Sequence, residues 1–292
     1  MKKVIIITGP TAVGKTKISI EVAKRLNTPL INGDAYQAYV GLDIITAKPT
    51  KEEQSSVKHY LMNELDPNVS FTIYEYQKKV RELINQIDIP IIVGGSGLYI
   101  DSVIYDYKFI ENNEHLDFND KTNEELKEIL NNLDLDASLK IPTNNRRRLI
   151  RQIELYYQQE KSERQNKDTK VYDAIIINLS MDRIKLYDRI NERVIEMIDN
   201  GLIDEVKNSQ NLEDTLLSKA IGYSDAFDYL NQKITKEELI KKIQTKSRHY
   251  AKRQLTWFRN HPDTISIDVD MNNIDSTIDE VYNCILNYIK SV

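Results

Sequence analysis

Cysteine is almost missing from this chain: Cys284 is the only one in 292 residues. A lone thiol excludes an internal disulfide and any metal site built on cysteines. The four histidines, His59, His115, His249 and His261, are scattered, and none has the spacing of zinc ligands. No apolar run approaches the roughly 20 residues needed to cross a bilayer, so no membrane role is expected. Internal repeats and long Pro/Gly/Ser linkers are absent too, which leaves one large or two ordinary globular domains. Positive charge is not in excess: the formal net charge is −5, which by itself argues against a general nucleic-acid binder. Met1-Lys2-Lys3 and the apolar run after it superficially resemble a secretory signal. That run stops at Thr8-Gly9-Pro10, so a cytoplasmic protein is the expectation.

What the chain does have is Gly9-Pro10-Thr11-Ala12-Val13-Gly14-Lys15-Thr16, which fits G-x-x-x-x-G-K-[ST], the P-loop. Backbone amides of such a loop wrap phosphate oxygens, the lysine reaches the outer phosphate as a point charge, and the threonine hydroxyl ligates Mg²⁺. The context fits. Val4-Ile5-Ile6-Ile7 reads as a buried strand, and Ile18, Val22, Ala23 and Leu26 recur at helical spacing after the loop. Strand, glycine loop and helix N-terminus occur in the order a phosphate site requires. Gly9, Thr11, Ala12, Gly14, Lys15 and Thr16 are therefore the expected polyphosphate-binding residues.

A second strand, Pro29 to Asn32, ends at Gly33-Asp34, which puts Asp34 on the same sheet rim as the P-loop. Alone, such an aspartate is most often a turn former or a helix cap. A helix from about Ser70 to Ile87 precedes a third strand, Pro90 to Val93, and a second glycine loop, Gly94-Gly95-Ser96-Gly97. No Walker-B aspartate ends that strand, which counts against ordinary ATP hydrolysis. Between about Tyr107 and Tyr172 the composition turns polar, with helices expected at Glu124–Leu133 and Asn144–Gln159. The expected layout is an α/β core with a parallel sheet flanked by helices, made of residues 1–106 and 173–292, and a helical insertion of residues 107–172. Arg146, Arg147, Arg148 and Arg151 crowd the start of the second insertion helix. Three arginines there oppose the helix macrodipole, so a bound anion is a natural compensation, although Arg151 and Glu154 could simply pair.

Ala174–Leu179 returns to strand, followed by a helix from Asp182 to Asn200 that is stopped by Gly201. Arg189 and Arg193 share a face of it. Thr235 and Glu238 form a capping box for a helix running to about Phe258. Ile240, Ile243, Ser247, Tyr250, Gln254 and Phe258 mark its packing side. Lys241, Arg248, Lys252 and Arg259 line another face, widened by Lys242, Lys246 and Arg253, with no acid after Glu238. Solvated faces normally mix signs; an unmixed one suggests a nucleic-acid backbone. Thr264–Ile267 and Ile274–Ile289 read as an edge strand and a closing helix.

Taken together, these strings resemble the bacterial tRNA dimethylallyltransferase (tRNA isopentenylpyrophosphate transferase) family. The resemblance rests on the P-loop, Ile31-Asn-Gly-Asp34 with Gln37, Gly41 to Ile44 leading to Thr46-Ala-Lys-Pro49, and Val93 to Tyr99. Asn145–Glu154, Leu186–Val194, Ile221-Gly-Tyr223 and Lys252–Arg259 extend it over nearly the whole chain in family order. It implies a P-loop NTPase-like fold and transfer of a dimethylallyl group from dimethylallyl diphosphate to the exocyclic N6 of adenine 37, beside the tRNA anticodon. The P-loop would then hold diphosphate with Mg²⁺ on Thr16, Asp34 would be the general base, Ser96 would hold the amine or a diphosphate oxygen, and Arg189 would be a second clamp. The resemblance also places RNA at Asp34, Ala35, Tyr36, Gln37, Ser96, Arg146, Arg147, Arg148, Arg151, Gly222, Tyr223, Lys252, Arg253 and Arg259. The expected partners are a tRNA anticodon stem-loop and dimethylallyl diphosphate, and a monomer is expected. Four positions depart from the family pattern: Ser96 stands where threonine is usual, Ala35 where serine is, Tyr36 where methionine or leucine is, and Ile45 where glycine is. None is itself a P-loop residue or Asp34, which implies altered RNA fit rather than altered chemistry.

Three other readings share these features. An isopentenyltransferase acting on free AMP or ADP would need the same P-loop and base but no large basic surface. A P-loop nucleotide kinase would also suit an Arg-rich lid. A non-catalytic RNA-binding P-loop protein would have no need of Asp34, Lys15 and Thr16 together.

Overall fold

The computed structural model describes residues 1–107, 109, 116–157, 169–212, 215–262 and 264–291. From the N-terminus the chain runs through β1 (Lys3–Thr8), α1 (Lys15–Leu26), β2 (Leu30–Asn32), α2 (Lys51–Ser56), β3 (His59–Tyr60), α3 (Ile73–Gln86), β4 (Ile91–Val93) and α4 (Gly97–Ile104). Then come α5 (Asn123–Leu133), α6 (Leu135–Leu139) and α7 (Arg146–Tyr157). The chain returns through β5 (Asp173–Ser180), α8 (Arg183–Asp199), α9 (Leu202–Lys207), α10 (Tyr223–Leu230), α11 (Lys236–Arg259), β6 (Thr264–Asp268) and α12 (Ile274–Lys290).

The six strands form one parallel sheet in the order β3-β2-β4-β1-β5-β6. β1 lies inside it, with Ile5 opposite Ile91 on one side and Ile175 on the other. A parallel sheet covered on both faces needs strands that are apolar throughout rather than alternating. Val4, Ile5, Ile6 and Ile7 supply this and are all buried. β2 and β4 are only three residues long, so their carboxyl ends fall level with the end of β1, where the glycine loops begin. The two-residue β3 on the far edge carries no apolar run and had no sequence signal.

Two compact units divide the chain: residues 1–104 with 171–292, and residues 105–170. Sequence composition had put these boundaries two residues later. In the smaller unit, α5 and α7 pack Leu126, Leu130, Leu149 and Ile153 against one another. The expected end of α7 at Gln158–Gln159 lies outside the described residues. In the larger unit, a second core gathers Val194, Ile198, Leu202, Tyr223, Leu239 and Ile243 from α8 to α11.

The capping box at Thr235 and Glu238 is present, and three more T-x-x-E strings do the same work at Thr50, Thr72 and Thr122. Each cap is worth about 1 kcal/mol to its helix start. Gly201 follows α8 with φ +97°, but it opens α9 immediately, a helix the sequence reading lacked. In α3, Ile84 is buried and Leu83 is half-buried.

Candidate active site

At the end of β1, Gly9 adopts φ +145°, and a Cβ there would stand 2.5 Å from the carbonyl oxygen of Leu179 on β5. Only glycine lets the chain leave the sheet so close to its neighbour. The loop then turns through Ala12 and Gly14, both at positive φ, into α1. Lys15 lies across the loop, its Nζ donating to the carbonyls of Gly9 (2.9 Å) and Pro10 (2.8 Å). Burial, followed by the nearby Arg193 guanidinium, lowers the Lys15 pKa to about 7, with Asp34 opposing both. A bound polyanion would restore the charge, since an opposite charge favours the ionised form.

Asp34 sits just past β2 in an Asx-type turn. Its carboxylate Oδ1 accepts from the Tyr36 amide (2.9 Å), and its own amide donates to Asn32 Oδ1 (3.0 Å). The buried Asn32 also donates from Nδ2 to the carbonyls of Asp34 and Leu61, both at 2.8 Å, which pins the turn to the sheet. Burial raises the Asp34 pKa, against the Tyr36 amide, Lys15 and the Gln37 amide, which lower it. A carboxylate so held is a better proton acceptor than a solvated one.

Lys15, Thr16, Asp34, Arg189, Arg193 and Tyr250 line one cavity of about 580 Å³. Arg189 Nε donates to the Ala12 carbonyl at 2.9 Å. Arg193, one turn on, donates to Thr11 Oγ1 (3.4 Å) and to the Ala47 carbonyl (3.3 Å). Burial pushes the Tyr250 phenol pKa up, the Asp34 charge adds to the effect, and the Ser96 side chain opposes both. The Tyr250 phenol is thus within electrostatic reach of both Asp34 and Ser96.

The cavity is lined by hard oxygen ligands, among them the Thr16 hydroxyl and the carboxylates of Asp34, Glu53, Glu192 and Glu196. No group of three His, Cys, Asp or Glu able to hold a metal occurs among the described residues. Such a set suits a cation that takes most of its ligands from substrate phosphates and water, as Mg²⁺ does.

The residues read as RNA contacts separate into two groups. Ala35, Tyr36 and Gln37 are half-buried around the Asp34 turn. The Gln37 amide is committed to the carbonyls of Thr46 (3.0 Å) and Ala47 (3.2 Å). Lys252, Arg253 and Arg259 are exposed on α11, and Arg147 and Arg148 on α7. Tyr223 corrects the expectation: it is 2% exposed, with its hydroxyl donating 2.6 Å to the Ser209 carbonyl, so it packs the core and offers RNA nothing. Gly222 is the left-handed residue that starts α10. Arg146 is spent inside its own unit, donating to the carbonyls of Lys121 (2.7 Å) and Phe118 (2.5 Å). Arg151 lies 3.6 Å from the buried Glu154.

Acids from another helix reach one side of the basic face of α11, the side widened by Lys242 and Lys246, and leave Lys241, Lys252 and Arg259 without an acidic partner among the described residues. Lys246 meets Asp225 at 2.6 Å, and Lys242 lies within 4.0 Å of Asp225 and Asp228. Arg248 donates to Asn191 Oδ1 at 2.5 Å. What remain outward and basic are Lys241 and the carboxyl-terminal part of α11.

Several residues of the site escaped the sequence. Arg193 had a signal, its i,i+4 spacing from Arg189. Tyr250 and Gln254 were read only as packing. Lys48 has no exposed side-chain surface; it pairs with Asp43 (2.6 Å) and donates to Asn63 and to the carbonyls of Tyr39 and Gly41, so it knots the 39–49 segment. Glu205 accepts from the amides of Ile44 (2.8 Å) and Ile45 (2.9 Å) and holds the same segment from α9.

A parallel sheet with a glycine loop at its central strand, a helix starting from that loop and a lysine lying over it defines a P-loop phosphate-binding protein. Comparison with known proteins narrows the class. The family model for IPP transferase matches residues 37–261. The tRNA dimethylallyltransferase of Anoxybacillus flavithermus is 43% identical, over 99% of this chain and 96% of its own length. That of Bacillus velezensis is 42% identical, over 97% and 96%. Among solved structures, the tRNA isopentenylpyrophosphate transferase of Bacillus halodurans superposes with a TM-score of 0.76 at 39% identity, covering 98% of this chain and 96% of that one. A eukaryotic dimethylallyltransferase acting on tRNA gives a TM-score of 0.83 at 25% identity, covering 96% and 77%. The chain belongs to the IPP transferase family, with the tRNA dimethylallyltransferases of Anoxybacillus flavithermus and Bacillus velezensis among its relatives.

Proposed function

We propose that this chain transfers a dimethylallyl group from dimethylallyl diphosphate to the exocyclic amine of adenine 37 in a tRNA anticodon stem-loop. The observation that carries this reading is the convergence of the P-loop lysine and a half-buried carboxylate, Asp34, on one cavity. A prenyl transferase needs both groups, one for the leaving diphosphate and one for the amine proton.

Diphosphate lies against the P-loop amides, with Lys15 over the outer phosphate and Arg189 clamping from α8. The adenine amine attacks the allylic carbon, a C–N bond forms, and the C–O bond breaks with its electron pair leaving on diphosphate. Lys15 and the loop amides stabilise that charge as it develops. The amine proton passes to Asp34 as alkylation makes it acidic. Ser96 and Tyr250 orient the amine beside the carboxylate. Thr16 would hold Mg²⁺ on the diphosphate, and the ion would add charge neutralisation on the leaving group.

Reaching so enclosed a site requires the adenine to leave its stack. Ala35 and Tyr36 rim its path. Arg147, Arg148, Lys252, Arg253 and Arg259 take phosphates, which position RNA without reading its sequence. Residues 105–170 contribute to RNA binding through α7. We place the enzyme in the cytoplasm as a monomer; among the described residues no helix is long and apolar enough to cross a membrane.

The reading is tested by digesting a stem-loop after incubation with dimethylallyl diphosphate and Mg²⁺ and analysing its nucleosides by mass spectrometry. One prenylated adenosine is expected, lost when adenine 37 is replaced by guanine. Prenylation elsewhere, or none, would count against the reading.

A further inference from the structure

Gln254 is 5% exposed, in the carboxyl-terminal part of α11, and sits between the two glycine loops of the site. Its Oε1 accepts from the Thr11 amide of the P-loop at 3.0 Å. Its Nε2 donates to the Gly95 carbonyl in the loop after β4 at 3.2 Å. The fit is close enough that a Cβ on Gly95 would stand 1.9 Å from Nε2. The two loops serve the two halves of the reaction. Thr11 belongs to the turn that receives the leaving diphosphate, and Gly95 lines the cavity with Asp34 and Tyr250 and precedes Ser96, whose side chain acts on the Tyr250 phenol. Thr11 is held from a second direction by Arg193, which joins its hydroxyl to the Ala47 carbonyl, whereas Gln254 links the Thr11 amide to the loop after β4.

We infer that Gln254 is a positioning residue that sets the distance between the diphosphate loop and the acceptor loop, and that it acts on the chemical step rather than on the affinity of either substrate. This inference rests on the prenyl-transfer reading above. An amide is required because one end must accept and the other donate; a hydrocarbon of the same volume can do neither. Each loop keeps its own contacts without the amide, so each substrate still binds. What is lost is the alignment of the amine with the allylic carbon, where a displacement of about 1 Å costs on the order of 10²-fold in rate.

The test uses three forms of the full chain with a stem-loop and labelled dimethylallyl diphosphate in single-turnover reactions. Gln254→Met is expected to lower the chemical rate about 10- to 100-fold while diphosphate and stem-loop dissociation constants stay within about threefold. Gln254→Glu adds a readout that a purely structural role would not move. Its protonated carboxyl can accept from Thr11 and donate to Gly95, whereas its ionised form cannot donate. Burial raises such a carboxyl's pKa, so the rate of Gln254→Glu divided by that of wild type at the same pH is expected to rise about tenfold from pH 8 to pH 6. A flat ratio, or losses in both affinities that match the loss in rate, would overturn the inference. If wild type transfers no label, the prenyl-transfer reading has failed; if wild type transfers and the ratio is flat, the failure belongs to Gln254 alone.

Discussion

Replacing Asp34 by asparagine changes one property of the site and leaves its frame standing. The Asn32 contacts to the Asp34 backbone do not involve the carboxylate, and an asparagine carbonyl can accept from the Tyr36 amide as Oδ1 does now at 2.9 Å. The proton acceptor disappears. Loss of a general base costs about 10²–10⁴-fold, or about 2.7–5.4 kcal/mol of barrier at 1.36 kcal/mol per decade. Stability should move the other way. Burial raises the Asp34 pKa above its ordinary value, so the folded chain binds that proton more tightly than the unfolded chain. Stability therefore falls as pH rises through the window between the two values, and at pH 8 the charge is held at a cost. Asp34→Asn is expected to have an equal or higher Tm at pH 8 together with a chemical step slowed 100-fold or more. The assay is single-turnover transfer at saturating stem-loop, with the donor dissociation constant and Tm measured on the same preparation. A chemical step equal to wild type would refute the reasoning and return Asp34 to the role of a turn residue.

Lys15→Ala should lose about 2.7–4 kcal/mol of transition-state stabilisation, by analogy with a lost oxyanion-hole donor; near-normal kcat/KM for the donor would contradict it. With a Lys15 pKa of about 7 when folded against the ordinary lysine value of 10.5, the unfolded chain binds the extra proton across that window. Stability of the ligand-free protein should thus rise with pH there, and Lys15→Met should remove that rise in a series of urea melts. Glu205→Ala strands the amides of Ile44 and Ile45 and should cost about 2–3 kcal/mol by urea denaturation; a change under about 0.5 kcal/mol would show that the 39–49 segment does not depend on it. Arg148→Ala with Lys252→Ala should flatten the dependence of log RNA affinity on log salt by up to about 1.4, at about 0.7 per single-strand phosphate, while donor KM holds; an unchanged slope would remove both from the RNA surface.

How much of this could be read beforehand depended on whether a residue's partner was near in sequence. The P-loop, the helix it starts and the capping box at Thr235 are local, because each is a contiguous string whose spacing encodes its geometry. Asp34 could be placed on the rim because β2 is parallel to β1, and the rule that chemistry collects at strand ends did the rest. Gln254 was legible only as a polar residue on a packing face: its partners, Thr11 and Gly95, are 243 and 159 residues away. The same holds for the basic face of α11. A single helix can show that its own acids are missing, but not that Asp225 of α10 reaches across to Lys246. Tyr223 sits in a motif string that suggested RNA contact, whereas its hydroxyl satisfies the Ser209 carbonyl within the core. A tyrosine's burial is decided by tertiary packing, which the string does not encode.

The central claim is that this P-loop holds the diphosphate of a prenyl donor whose acceptor is RNA. The direct measurement is one reaction containing allyl-labelled dimethylallyl diphosphate, an anticodon stem-loop, free AMP and Mg²⁺, followed for label in each product and for diphosphate released. Label entering the stem-loop, one diphosphate released per label transferred and AMP left unlabelled is the predicted result. Label in AMP at a rate equal to the stem-loop would contradict the account, as would γ-phosphate transfer from ATP in place of prenyl transfer.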